Sequence, residues 1–154
     1  MAQHIGVISD THGLLRPQAI TALRGSSLIV HAGDVGTADV LHGLRDIAPV
    51  VAVRGNIDRD PSTRGLSASE IVEIDEHTLY VLHDLNELDI DPATAGFHCV
   101  ISGHTHQPKI ETKNGVLYFN PGSAGPRRFT LPVSVGRMVI TNHGVTAEII
   151  ELQT

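Results

Sequence analysis

The chain has 154 residues, 41% hydrophobic and 18% charged, the balance of a single globular domain spanning 1–154. A net charge of −6, three Phe, two Tyr and no Trp exclude the cationic, aromatic surface of a stable nucleic-acid binder and speak against an anionic membrane surface. One cysteine, Cys99, cannot close an internal disulfide, the N-terminal MAQHIGVISDTHG lacks a basic leader region, and no run approaches a membrane span, so a cytoplasmic protein is expected.

The first half alternates strands and helices. HIGVIS (4–9) reads as a short apolar strand. RPQAITALRG (16–25) reads as a helix, with Pro17 suited to its first turn and Gly25 to its end. SLIVHAG (27–33) is a second strand, TADVLHGLRD (37–46) a second helix with Thr37 as its N-cap, and APVVAVRG (48–55) a third strand. Continuous apolar strands in β-α-β-α-β order predict a parallel sheet covered on both faces.

The second half reads as antiparallel β. EIVEID (70–75) turns at Glu76-His77 into TLYVLH (78–83). HCVISG (98–103) is another buried strand, and KIETKNGVLYFN (109–120) is a hairpin about Asn114-Gly115. PVSVGRMVITNHGVTAEIIEL (132–152) is a further strand pair turning at Asn142-His143-Gly144. The expected class is α/β, with two packed sheets and helices outside.

The polar residues fall at strand ends. Asp10 and His12 follow the first strand, Asp34 the second and Asn56 the third; His83 ends the strand at 78–82, and His104 and His106 follow the strand at 98–102. Singly, each reads as a turn, a cap or exposed polarity. Five strands ending in such residues point to one ligand-binding edge, where open α/β sheets bind ligands. The glycines beside them allow sharp turns and close approach. Oxygen and imidazole donors without thiolate suit divalent Mn, Ni, Fe, Co or Zn. Seven side chains are too many for one ion and suit two, and Asp34 could bridge them. Two such ions hold the attacking and leaving oxygens of a phosphoryl transfer and supply a hydroxide nucleophile.

With D10-T-H12, G33-D34, G55-N56-I-D58, His83 and G103-H104-T-H106 in this order, the chain resembles the calcineurin-like metallophosphoesterase superfamily. The short length and NPGS at 120–123 after GHTHQP look most like its small YfcE-type phosphodiesterases. The resemblance implies a four-layer fold, two mixed sheets in a β-sandwich flanked by helices. It implies one metal held by Asp10, His12, Asp34 and His106, and a second by Asp34, Asn56, His83 and His104. It implies Mn²⁺ first among the metals, a small phosphate-ester substrate, and catalysis by a metal-held hydroxide in which Asp34, Asn56 and His83 take part. The rival readings are a non-catalytic scaffold of the same fold, as in the retromer small subunit, and a phosphomonoesterase. The sequence does not exclude a homo-oligomer.

Two positions depart from the pattern. Many superfamily members carry His where this chain has Ile57, and His-Gly-His where it has His83-Asp84-Leu85. Asp84 is read as a turn residue or a partner of a ligand, and Asp58 either as a cap or a residue supporting the site or as a direct participant in catalysis. Asn120 either lines the site floor or makes a turn. Arg127 and Arg128 are candidates to meet a phosphate bidentately, against the alternative of solvated charge. His31 is expected to pack or support ligands, and His4, His42, His77, His98 and His143 to be structural.

Overall fold

The computed structural model describes residues 2–154. Its elements in chain order are β1 (Gln3–Ile8), α1 (Pro17–Leu23), β2 (Leu28–His31), α2 (Ala38–Arg45), β3 (Val50–Ala52), β4 (Ser69–Ile74), β5 (His77–Leu82), α3 (Pro92–Ala95), β6 (Cys99–Ile101), β7 (Lys109–Lys113), β8 (Val116–Asn120), β9 (Ser134–Thr141) and β10 (Gly144–Glu151). A single 3₁₀ turn, Leu85–Glu87, follows β5.

The strands form two five-stranded sheets, β10-β9-β1-β2-β3 and β4-β5-β6-β8-β7. In the first, β1, β2 and β3 run parallel, as their apolar runs predict, and β9 closes antiparallel on β1. In the second, the sequence-based expectation of antiparallel pairing needs correction. Only the edge strands β4 and β7 are antiparallel to their neighbours; β5, β6 and β8 run parallel. The turn chemistry reports hairpins reliably, but β6 reaches β8 past the edge strand β7, and no local signal encodes that crossover. One sequence-based boundary also shifts: Ile74 faces His77, so the β4–β5 turn is Asp75-Glu76.

The strand alternation explains the layers. Ile5 and Val7 of β1, Leu79 and Val81 of β5, Ile101, Phe119, Met138 and Ile140 meet between the sheets in a buried aliphatic cluster. On the other face of the first sheet, Ile8, Ile29 and Val135 pack on Ala19 and Leu23 of α1 and Val40, Leu41 and Leu44 of α2. The outer face of the second sheet is covered more thinly, by Leu88 over Val100, Val116 and Leu82. Both main clusters join distant parts of the chain. Burying them contributes about 25 cal/mol per Å² of apolar surface removed from water. Thr37 sits at the N-cap of α2, yet its side chain accepts no capping bond. The Ser62 hydroxyl accepts the Ala38 N–H instead.

The consequence for function is directional. Three parallel strands of each sheet point their carboxyl ends at the same edge, and the two edges lie together. Backbone bonds stitch that edge: Asp10 N–H to the Gly33 carbonyl at 3.0 Å, His12 N–H to the Asp34 carbonyl at 2.9 Å, and Gly103 N–H to the His83 carbonyl at 2.9 Å. Among the described residues no helix is long and apolar enough to cross a membrane.

Candidate metal centre

Each ligand candidate is presented by a sharp backbone turn at a strand end. Asp10, His12, Asp34, His104 and His106 all have positive φ, between 48° and 75°. They are five of the eight non-glycine residues in that conformation among the described residues. Asp and His tolerate the left-handed region better than most side chains, but each instance still costs on the order of 1–3 kcal/mol. Tertiary packing offsets that cost, and two glycines are part of it. A Cβ on Gly55 would fall on the Asp34 backbone and carboxylate, and one on Gly103 on the Ser9 hydroxyl and the Asp10 carboxylate. Only glycine lets these loops close over the two aspartates.

The seven predicted ligands do converge, in two lobes. In the first, Asp10 Oδ1 lies 3.4 Å from His106 Nε2, 3.8 Å from His83 Nε2 and 4.0 Å from His12 Nε2. In the second, Asn56 Oδ1 lies 3.0 Å from His83 Nε2 and 3.2 Å from His104 Nδ1. Asp34 Oδ2 stands between the lobes, 3.2 Å from His83 Nε2 and 3.6 Å from His12 Nε2. Two triads are close enough to grip a metal ion, Asp10–His12–His106 and Asp10–Asp34–His83.

Buried hydrogen bonds fix the rotamers. Asp10 Oδ2 accepts the Ser9 hydroxyl at 2.7 Å and the His104 N–H at 3.1 Å. Asp34 Oδ1 accepts the Ile57 N–H at 3.0 Å. His83 Nδ1 lies 2.8 Å from the Ala32 carbonyl. A carbonyl only accepts, so Nδ1 holds the proton and Nε2 is left to face the carboxylates, the usual way a protein sets a metal-binding histidine. Asp10 Oδ1 and His12 Nε2, by contrast, are buried without any hydrogen-bond partner. Orphaned buried polar atoms are costly. A divalent cation among these nitrogen and oxygen donors satisfies them, and the residues fit the group.

The titration of these groups agrees with the geometry. Burial pushes the Asp10 carboxyl up, but the imidazoles of His106 and His83 and the Ser9 hydroxyl outweigh it and hold Asp10 below the usual carboxylate range. Asp34 is lowered in the same way: burial opposes ionisation, while His83, the Ile57 N–H and His12 favour it. For His83, burial disfavours the cation, but its hydrogen bond to Asp34 and the charges of Asp10 and Asp34 raise it above an ordinary histidine.

Around this centre the structure assigns roles that sequence reading left open. Asp58 makes no contact with the ligand atoms. Its buried carboxylate accepts N–H groups from Gly55 at 2.8 Å, Gly36 at 3.0 Å and Val35 at 3.2 Å, tying the Asp34 loop to the Asn56 loop. Ile57 contributes its backbone N–H to Asp34, and its side chain is 38% exposed. Asp84 caps the 3₁₀ turn by accepting the Asn86 N–H, and its other oxygen lies 3.7 Å from His104 Nε2. Asn120 donates to the Gly103 carbonyl at 3.0 Å and the Thr105 hydroxyl at 3.1 Å, shaping the His104–His106 loop. The Arg127 guanidinium bonds the Leu131 carbonyl and the Thr154 hydroxyl. Arg127 and Arg128 both line a cavity of about 190 Å³ beside His12 and His106.

A buried relay lies beneath the ligands, with His31 in the packed, supporting place expected of it and Thr11 as a partner the sequence did not indicate. Gly33 N–H donates to His31 Nδ1 at 3.1 Å, so His31 Nε2 carries the proton toward Thr11 Oγ1 at 3.0 Å, and Thr11 donates to the Val35 carbonyl at 2.8 Å. Burial lowers the His31 imidazole to about 4, so it is neutral. The Ser123 hydroxyl donates to the Asp10 carbonyl at 3.1 Å. Its position in the NPGS turn was the one local signal for it.

The fold and the site together define a two-sheet α/β protein with a candidate metal centre, lined by nitrogen and oxygen donors, at its shared carboxyl edge. The chain belongs to the calcineurin-like phosphoesterase superfamily, whose domain profile matches residues 4–143. A probable metallophosphoesterase of Methanothermobacter thermautotrophicus is 38% identical over 158 residues, covering 95% of this chain and 91% of that one. A phosphodiesterase of Methanocaldococcus jannaschii is 28% identical over 136 residues, covering 77% and 82%. Vacuolar protein sorting 29 of Cryptosporidium parvum has the same fold, with a TM-score of 0.76 at 19% identity over 99% of both chains. The fold therefore does not by itself assign an activity.

Proposed function

We propose that this protein is a metal-dependent phosphodiesterase working through a dinuclear centre. Asp10, His12, Asp34 and His106 hold one divalent ion, Asp34, Asn56, His83 and His104 hold the other, and Mn²⁺ is the first choice of metal. The observation that carries the reading is the grouping of Asp10, His12, Asp34, His83 and His106 about buried, unpartnered Asp10 Oδ1 and His12 Nε2, with Asn56 and His104 joined to it through His83. The family of the chain and the phosphodiesterase among its relatives support a small phosphate ester as the substrate.

Ions bound there supply a water of lowered pKa as nucleophile and positive charge for the phosphoryl transition state. The chain's own residues prepare that chemistry. Asp34, held by the Ile57 N–H, keeps its second oxygen toward both lobes. His83, fixed by the Ala32 carbonyl, aims Nε2 inward. No imidazole stands at position 57 to protonate a leaving group, so diesters with good leaving groups are the favoured substrates.

The test is hydrolysis of bis-p-nitrophenyl phosphate with Mn²⁺, with metal content measured in parallel. Asp34→Asn is expected to lower the rate by about 10²-fold or more and to reduce bound metal from two ions per chain. Equal rates in the two proteins would remove the catalytic reading. Two retained ions without hydrolysis of any diester would favour a scaffold.

A further inference from the structure

A second cavity, of about 380 Å³, adjoins the metal centre. Its size lies within the range of about 300–1,000 Å³ typical of small-molecule sites. One wall is the turn after β5, with Leu85. The other is β7, whose alternate residues Lys109, Glu111 and Lys113 all face the cavity, with Tyr118 of β8 between the walls. The period of two along a strand puts those three side chains on one face.

Lys109 and Lys113 are the only lysines in the chain; its other cations are arginines. Both ammonium groups flank one carboxylate, Lys109 Nζ at 3.2 Å and Lys113 Nζ at 3.8 Å from Glu111 Oε2. The Lys113 ammonium also lies 5.5 Å from the centroid of the Tyr118 ring. Two cations against one anion leave this strand face positive in a chain of net charge −6, and the carboxylate on the facing wall, Asp84, is engaged by the Asn86 N–H and faces His104. Exposed ion pairs of this kind contribute only about 0–1 kcal/mol, so an incoming anion recruits both ammonium groups at little cost.

The strand register sets the direction. Lys109 pairs with Asn120, and Lys113 with Val116. Asn120 in turn holds the loop that carries His104 and His106. The Lys109 end therefore adjoins the metal ligands, and Lys113 lies about 13 Å further along the strand.

We propose that this cavity is a substrate subsite: it takes one alcohol arm of the phosphodiester and selects an arm bearing a second phosphate. A phosphate monoester carries about −1.5 to −2 charges and three acceptor oxygens, which matches two ammonium groups better than a carboxylate does. Lysine suits this role because its compact ammonium swings on a flexible stem. The proposal rests on the phosphodiesterase reading above.

Two p-nitrophenyl esters of thymidine 5′-phosphate test it, one with a free 3′-hydroxyl and one with a 3′-phosphate. Both release the same chromophore by the same bond cleavage. The Mn²⁺-loaded protein is expected to favour the 3′-phosphorylated ester by about tenfold in kcat/KM, which corresponds to about 1.4 kcal/mol. The combined variant Lys109→Met, Glu111→Gln, Lys113→Met is expected to bring that ratio close to one, with its melting temperature confirming the fold. A ratio near one in the unmodified protein, or a ratio that survives the substitutions, overturns the subsite and leaves the phosphodiesterase reading standing. If neither ester is cleaved, that reading fails, and calorimetric binding of thymidine 3′,5′-bisphosphate decides the subsite alone. Weaker binding by the variant supports it, and equal affinity in the two proteins overturns it.

Discussion

Replacing Asp58 by alanine would strip three backbone N–H groups, those of Gly55, Gly36 and Val35, of their shared acceptor. Asp58 is only 2% exposed, so water cannot simply take its place. An unsatisfied buried donor costs about 1–3 kcal/mol, and hydrogen bonds to a charged acceptor are at the strong end. Allowing for some relaxation of the two loops, the total loss is expected to be about 3–5 kcal/mol. At about 2–4 °C per kcal/mol for a domain of this size, the melting temperature falls by roughly 6–20 °C. The same loops present Asp34 and Asn56, so metal affinity should also fall by about 10–100-fold. Asp58→Asn keeps one oxygen but turns an NH₂ toward a backbone donor, and an intermediate loss is expected. Thermal unfolding and Mn²⁺ titration of both variants read these effects. If Asp58 instead acts directly on substrate, Asp58→Asn would keep its melting temperature and metal affinity and lose only kcat; that pattern would refute the staple.

Two further predictions concern His31 and Ile57. His31 is lowered to about 4 by burial and returns to about 6.5 on unfolding. Between those values the unfolded chain binds more protons, so His31 lowers stability progressively as pH falls from about 6.5 to about 4, by roughly 3 kcal/mol in all. His31→Gln should remove that component from the pH dependence of denaturant unfolding, measured without added metal; superimposable pH profiles would contradict it. At position 57, Ile57→His places an imidazole beside Asn56, and general-acid assistance is typically worth about 10²–10⁴-fold. Rates on esters of poorer leaving groups should rise more than those on p-nitrophenyl esters, and a leaving-group series with unchanged slope would show that this position plays no part in the chemistry.

The local features of this protein were readable from its residues. Alternating or continuous apolar runs set the strands, Asn114-Gly115 set a two-residue hairpin whose central residues both adopt positive φ, and the Gly-flanked Asp, Asn and His at strand ends marked the candidate ligands. Such signals act within a few residues, through backbone conformation and side-chain periodicity, and they survive being read one stretch at a time. The membership of the superfamily was legible for the same reason, because its motifs are short and ordered along the chain.

What depended on the tertiary structure was every relation between distant stretches. The parallel order β5-β6-β8 arises from a crossover past β7, with no local code. The sequence leaves Asp58 open between a direct role and a capping or supporting one; it braces the backbone, because the loops after β2 and β3 fold against each other and leave three N–H groups facing it. Thr11 and Ser123 became supports of the metal centre only once strands far apart in sequence were packed side by side. Hydrogen bonds and fields act through space at a few ångströms, so residues more than a hundred positions apart, such as Asp10 and Ser123, share one site that no spacing in the sequence describes.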